Sequence, residues 1–244
     1  MTWLILGVLP FLAEASANSQ TIADRARRIR ADRPDIAALV DEAQPRRNRA
    51  GQVYFPGGFG DSDTVQVLLL DTVLHSNRAI DVRVSLAHAI SAPQAWSLIR
   101  DQPVALRVAL LEGHKGTNDA SVLMAATEDA APDVSAAAVR LLGYSTAPAS
   151  NELSATLMKA LTSSTGEVRR LAARSLGWRN DPAAFDALAA LLSDQRPGVR
   201  EAAVRALGRI DASRAADLSA LRGLATDSHP GTARAVKALL RKVD

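Results

Sequence analysis

The sequence predicts an all-α protein, a right-handed superhelix built by stacking about six helix pairs. Three observations predict it. First, APDVSAAAVRLLG (131–143), TGEVRRLAARSLG (165–177) and RPGVREAAVRALG (196–208) repeat one another. Aligned on Val134, Val168 and Val199, each places an arginine six residues on (Arg140, Arg174, Arg205) and a glycine nine residues on (Gly143, Gly177, Gly208). Recurrence at just over thirty residues is the mark of a helical repeat. Second, 48% of the residues are hydrophobic but only 4% are aromatic. That alanine- and leucine-rich mixture suits close-packed helices better than strands. Third, each repeat is amphipathic at helical spacing.

The N-terminal stretch stands apart from this pattern. Trp3 to Ala13 is an apolar run too short to span a bilayer as a helix. With Ala15-Ser16-Ala17 behind it, it fits the core and cleavage site of a secretory signal, although Met1-Thr2 supplies no basic residue. The expectation is an exported, periplasmic chain with residues 1–17 removed and no transmembrane span left. The competing reading is an apolar first helix, against which Pro10 and the missing polar face count.

Residues 18–61 read as a basic helical segment followed by a loop. Eight arginines lie between 24 and 49 against five acids, a net charge of +3 that equals the excess of the whole chain. Ile22, Ala26 and Ile29 have helical spacing, and Pro34 opens a second helix where its missing N–H is tolerated. Pro45 ends that helix, and Gly57-Gly58-Phe59-Gly60 follows as a hinge or cover. That glycine run lacks the lysine and hydroxyl residue of a phosphate-binding loop.

The array occupies 62–244. In the best copy, 182–192 forms a first helix (A) and Val199–Leu207 a second (B). Val199, Ala202, Ala203, Ala206 and Leu207 share one face, with Glu201 and Arg205 pointing away. Gly208 is expected to end B in a left-handed conformation. Further pairs fit 118–129 with 132–142, 151–163 with 166–176, and 212–226 with 230–242, where Thr232 replaces the valine. Upstream, 93–100 pairs with 103–112, with Val104 in the valine column and Gly113 nine residues on, and 64–76 pairs with 79–90. Asp129, Asp194 and Asp227 each precede a proline by three residues, where a carboxylate can accept N–H groups of the turn.

The pattern D-x-x-P-x-V-R-x-x-A-x-x-A-L-G, read from Asp194 to Gly208, resembles HEAT repeats, and in particular the short HEAT-like repeats of phycobilisome-lyase-type proteins. The resemblance covers roughly 62–244. It implies an α-solenoid whose aspartate and arginine columns form a ladder, a role that Asp194 and Arg200 fit. Ser163, Ser135 and Ala233 interrupt those columns, so the ladder is expected to be broken. The resemblance does not imply lyase activity.

No catalytic constellation stands out. With no cysteine there is no thiolate nucleophile or zinc site. His75, His88, His114 and His229 are scattered over four repeats, neither His75 nor His88 has a carboxylate at metal-ligand spacing, and Ser85 near His88 lacks a third partner. No cofactor is expected. Arg140, Arg174 and Arg205 form one column on the exposed side of B, which lines the concave surface in HEAT stacks. They are the candidate partner-binding residues, against the simpler reading of a solvated face with local pairs such as Glu201–Arg205.

The function expected is a non-enzymatic scaffold or adaptor for a protein partner. The alternatives are a bilin-lyase-like subunit and a DNA-binding glycosylase of HEAT-like build. Nearly balanced charge and few aromatics besides Trp96 and Trp178 argue against nucleic acid.

Overall fold

The computed structural model describes residues 19–43, 46–47, 49, 53–54, 62–91 and 95–243. The apolar run and cleavage site (1–17), Pro45, Gly57–Gly60 and Pro93 lie outside them. The described helices form two compact units that divide after His114. Among the described residues, no helix is long and apolar enough to cross a membrane.

The first unit begins with α1 (Ser19–Asp32) and α2 (Pro34–Asp41), the two helices expected around Pro34. A two-residue antiparallel ladder, β1 (Arg46–Arg47) with β2 (Val53–Tyr54), follows. Then come α3 (Asp63–His75) with α4 (Ile80–Ala87), and α5 (Ala95–Ile99) with α6 (Val104–Gly113). Both α1 and α2 pack on α3, and α4 packs on α6. This is why α3 carries the run Val67–Leu70, buried all round: it has helices on more than one side. Arg30 joins the three elements, donating to both oxygens of Asp41 (2.7 and 2.8 Å) and to Asp71 at 2.8 Å. The hydrogen bond to Asp41 is the main reason its pKa is raised, against the opposing effect of burial. Much of the arginine excess in this segment is thus engaged locally, because Arg27 pairs with Asp24 and Arg33 with Asp35.

In α6 the valine column is held by Leu106 and not by Val104. Val104 is 37% exposed, while Leu106 is fully buried. Arg107 donates to the Gln102 carbonyl five residues back, as Arg200 does to the carbonyl of Gln195. Leu106 therefore holds the valine position, and spacing to Gly113 alone misplaced the register by two.

The second unit stacks α7 (Ser121–Ala126) with α8 (Pro132–Leu142), and α9 (Asn151–Ala160) with α10 (Gly166–Arg179). Next, α11 (Phe185–Ala190), flanked by short 3-10 turns, pairs with α12 (Pro197–Ile210). The last A segment is not the single helix expected over 212–226. It is broken into α13 (Ala212–Ala216), α14 (Ser219–Gly223) and a 3-10 turn, before α15 (Pro230–Leu240). The B helices α8, α10, α12 and α15 pack in succession, each with an A segment on its other side. Val199, Ala202, Ala203, Ala206 and Leu207 are all buried, as the helical wheel requires, and Val204 joins them. Serine caps help to start the pairs: Ser62 Oγ accepts from the Val65 N–H, and Ser150 Oγ from Leu153 at 3.1 Å.

The glycine column has a different purpose from the one expected. Gly143 has φ −64°, and Gly177 and Gly208 lie inside helices that run on to Arg179 and Ile210. The left-handed residue that ends α10 is Asn180, φ 51°. The glycines are instead where consecutive B helices touch. A Cβ on Gly177 would stand 2.7 Å from the Ala206 Cα, one on Gly143 3.0 Å from the Ser175 Cα, and one on Gly208 2.8 Å from Leu239 Cδ1. Ser175, Ala206 and Leu239 share one column, seven residues after Val168, Val199 and Thr232. The ninth position of each B helix thus packs on the seventh of the next.

The turns behave as expected. The carboxylates of Asp129, Asp194 and Asp227 accept the N–H two residues on, at 2.8, 2.8 and 2.7 Å. The ladder, however, is paired differently. Arg200 does not reach the Asp194 side chain. It donates to the Asp194 carbonyl at 2.8 Å and grips both oxygens of Asp227, one repeat on, at 2.8 and 2.9 Å. Arg169 does the same with the Ser163 carbonyl (2.8 Å) and the Asp194 carboxylate (2.7 and 3.0 Å). The arginine of one repeat therefore bonds the aspartate of the next, so the ladder runs unbroken from Arg169 to Asp227. In the first unit Arg83 plays this part with Gln102, at 3.1 Å.

One rung is missing, where both partners are serine: Ser135 on α8 and Ser163 after α9. Ser135 Oγ turns back to the Thr127 carbonyl (2.8 Å), and a cavity of about 200 Å³ opens beside Thr127, Ser135 and Ser163. Ser135→Arg with Ser163→Asp restores the rung. A double-mutant cycle followed by urea unfolding is expected to give a favourable coupling of about 1 kcal/mol, with each single change neutral or destabilising. A coupling of zero means that the cavity cannot accept the pair.

Candidate functional site

The exposed stripe of each B helix is set by helical geometry. Positions two, six and ten residues after the opening position lie one turn apart on one face. Reading them across the unit gives Ala136, Arg140 and Tyr144 for α8 and the turn after it, then Arg170, Arg174 and Trp178 for α10. They continue as Glu201, Arg205 and Arg209 for α12, and Arg234, Ala238 and Lys242 for α15 and the turn after it. The result is a grid of four successive B helices, rich in cations.

The three arginines expected from the sequence sit in its middle column and differ in their surroundings. Arg140 is half-buried on α8 and is not free of partners. Arg174 lies over the ring of Trp178, its guanidinium carbon 4.7 Å from the centroid. Arg205 is exposed and makes the i,i+4 pair with Glu201 at 2.9 Å. Glu201 also lies 3.8 Å from the ring of His229. Arg174 and Arg205 border one open groove of about 500 Å³, with Arg170, Trp178, Glu201 and Arg209. Arg170 is neutralised by Glu167, which accepts its Nε at 2.8 Å. That hydrogen bond is the main reason the Glu167 carboxyl lies below its ordinary range, with the charges of Arg170, Arg174 and Arg196 adding to it and burial opposing.

Two guanidiniums on this groove, those of Arg174 and Arg209, make no ion pair with a carboxylate among the described residues. An aromatic step adjoins them: Tyr144 and Trp178 lie 4.7 Å apart between centroids at 34°. Lys115 Nζ sits 5.7 Å from the Tyr144 centroid. Such a surface can take anionic groups through forked guanidinium hydrogen bonds and a flat or apolar side chain on the rings.

The residues that the arginine column did not reveal are Tyr144, Arg170, Trp178 and Arg209. Their signal was in the sequence as the i±4 neighbours of that column, two residues after each valine and ten after. Trp96, the other tryptophan of the array, is buried at 6% exposure and belongs to the core. No group of three or more potential metal ligands occurs among the described residues. His75 bonds Asp71 at 2.9 Å and His114 bonds the Leu110 carbonyl at 2.9 Å. His88 is pushed down by burial, with Glu112 opposing.

Residues 154–240 match the family model for HEAT repeats. No curated protein sequence matches the chain. Among solved structures it is similar to an engineered protein, at 20% identity and a TM-score of 0.43, covering 94% of this chain and 92% of that one. It is also similar to a computationally designed armadillo repeat protein for modular peptide recognition, at 16% identity and a TM-score of 0.44, covering 91% of each chain. Human deoxyhypusine hydroxylase in complex with glycerol is 17% identical, with a TM-score of 0.43, covering 91% of this chain and 83% of that one. The matched residues 154–240 take in α10, α12 and α15, where the glycine contacts and arginine rungs recur in register, and this part of the chain is built of HEAT-like repeats.

Proposed function

We propose that this protein is a non-enzymatic scaffold that docks a partner protein on the B-helix face of its second unit, with Arg140, Arg174 and Arg205 facing that partner. The observation that carries the reading is the groove between α10 and α12, which presents Arg174 and Arg209, neither of them in an ion pair with a carboxylate among the described residues. A solvated face with local ion pairs would neutralise them, as Glu201 neutralises Arg205 and Glu167 neutralises Arg170. Affinity on such a surface comes from many preorganised contacts, because stacked helices spend little ordering entropy on binding.

The test is a pull-down from native extract with the intact chain and with the Arg140→Glu, Arg174→Glu, Arg205→Glu variant, followed by titration of each purified partner. At least a tenfold loss of affinity is expected, with an unchanged helical circular dichroism spectrum. Equal affinity of the two proteins for every partner removes the B face from the docking surface. A salt-sensitive gel shift with duplex DNA at comparable affinity replaces the protein partner by nucleic acid.

A further inference from the structure

Aromatic and cationic groups are sorted along this face. The column ten residues after each opening position reads Tyr144, Trp178, Arg209, Lys242: rings at the ends of the first two B helices, cations at the ends of the next two. Tyr144 is 43% exposed although its ring is stacked on Trp178, so an apolar platform stays in water. The strip is continuous. Trp178 and Arg209 border one groove, and Arg209 and Lys242 border the next, of about 140 Å³ between α12 and α15.

We infer that this strip receives an extended acidic peptide segment with one aromatic side chain placed ahead of its carboxylates. The inference rests on the docking reading above and names the chemistry of its partner. Packed helices lie about 8–10 Å apart, and an extended chain advances about 3.3 Å per residue. One helix step therefore spans about three residues of the guest. An aromatic ring seated at Tyr144 and Trp178 puts the third residue along beside Arg209 and the sixth beside Lys242. The recognised pattern is aromatic-x-x-acid-x-x-acid. Charge complementarity selects the carboxylates, and among the described residues no acid occupies the fork of Arg209. A nucleic-acid strand is the competing polyanion. Glu201 lines the same groove as Trp178 and Arg209, and its carboxylate repels a strand that carries a phosphate at every step. A peptide can pass an uncharged residue there.

The experiment uses the full chain and fluorescein-labelled peptides in which Phe is followed by Asp at the third and sixth positions, made in both chain directions. Controls are the same composition with adjacent aspartates, an aspartate-free peptide and an oligothymidine. Anisotropy is expected to show at least tenfold tighter binding of one spaced peptide than of its scrambled form. Trp178→Ala removes the benefit of Phe, and Arg209→Ala with Lys242→Ala removes the benefit of the aspartates. Both variants keep the wild-type helical circular dichroism spectrum, since none of these side chains belongs to the buried core. Equal affinity for spaced and scrambled peptides, no peptide binding, or tighter binding of oligothymidine each overturns the inference. The docking reading survives these results if the triple arginine variant still loses its native partner, and falls with the inference if it does not.

Discussion

Gly177→Val lowers the stability of the second unit by about 3 kcal/mol, at the upper end of the cost of overpacking a well-filled interior. Gly177 lies inside α10, where a larger residue should favour the helix by up to about 1 kcal/mol. The contact decides the sign. A Cβ there would stand 2.7 Å from the Ala206 Cα and 2.8 Å from its Cβ, and neither can rotate away. Helix α12 would have to move as a body, opening the valine and alanine seam that it shares with α10. At Gly208 the obstacle is the flexible end of Leu239, so Gly208→Ala should cost less than Gly177→Ala. Gly223 of α14 meets nothing within 4 Å, and Gly223→Ala should stabilise by roughly 0.5–1 kcal/mol. Urea midpoints of the three alanine variants check the order. If Gly177→Ala proves as stable as Gly223→Ala, the close approach of α10 and α12 is wrong.

Arg200→Ala should cost about 3 kcal/mol, because it leaves the Asp227 carboxylate buried without its partner. The side chains of Arg200 and Asp227 are only 14% and 5% exposed, so water replaces little of what is lost. Two carbonyls of the preceding turn, Asp194 and Gln195, also lose their donor. The effect depends on pH. The hydrogen bond from Arg200 holds the Asp227 carboxyl below its ordinary range, against burial, with the His229 N–H helping. A carboxyl depressed in the folded state contributes stability that is complete above the ordinary value of about 3.9. That stability disappears as pH falls through the lower folded value. The gap between wild type and Arg200→Ala is therefore expected to be widest at neutral pH and to narrow below about pH 4. Asp227→Asn should lose most of that acid-side dependence. A gap that stays constant down to pH 2 would assign the loss to packing.

The repeat was legible in the sequence because each column answers a local demand. Proline and aspartate mark the turn, small and branched apolar residues mark the buried stripe, and Glu201 with Arg205 follows from helical spacing alone. Across the site, the arginine column was found by recurrence. Trp178, Tyr144 and Arg209 escaped because their column changes residue type from helix to helix, and recurrence detects only what stays the same. Val104 was misplaced for a related reason: one glycine set the register, while burial of Leu106 and the Arg107 hydrogen bond assign it otherwise.

What the sequence by itself determined is the helix pair, its turn and its buried face, all controlled by interactions within a few residues. Tertiary structure decided how one pair meets the next. A glycine reads the same whether it ends a helix or admits a neighbour, and only the position of Ala206 against Gly177 makes it the second. Arg200 has an aspartate six residues before it and another 27 residues after it, and the sequence favours the nearer. The stack chooses the farther one, because the helix directs the guanidinium across the seam towards the next turn, where a carboxylate is buried and waiting for a charge.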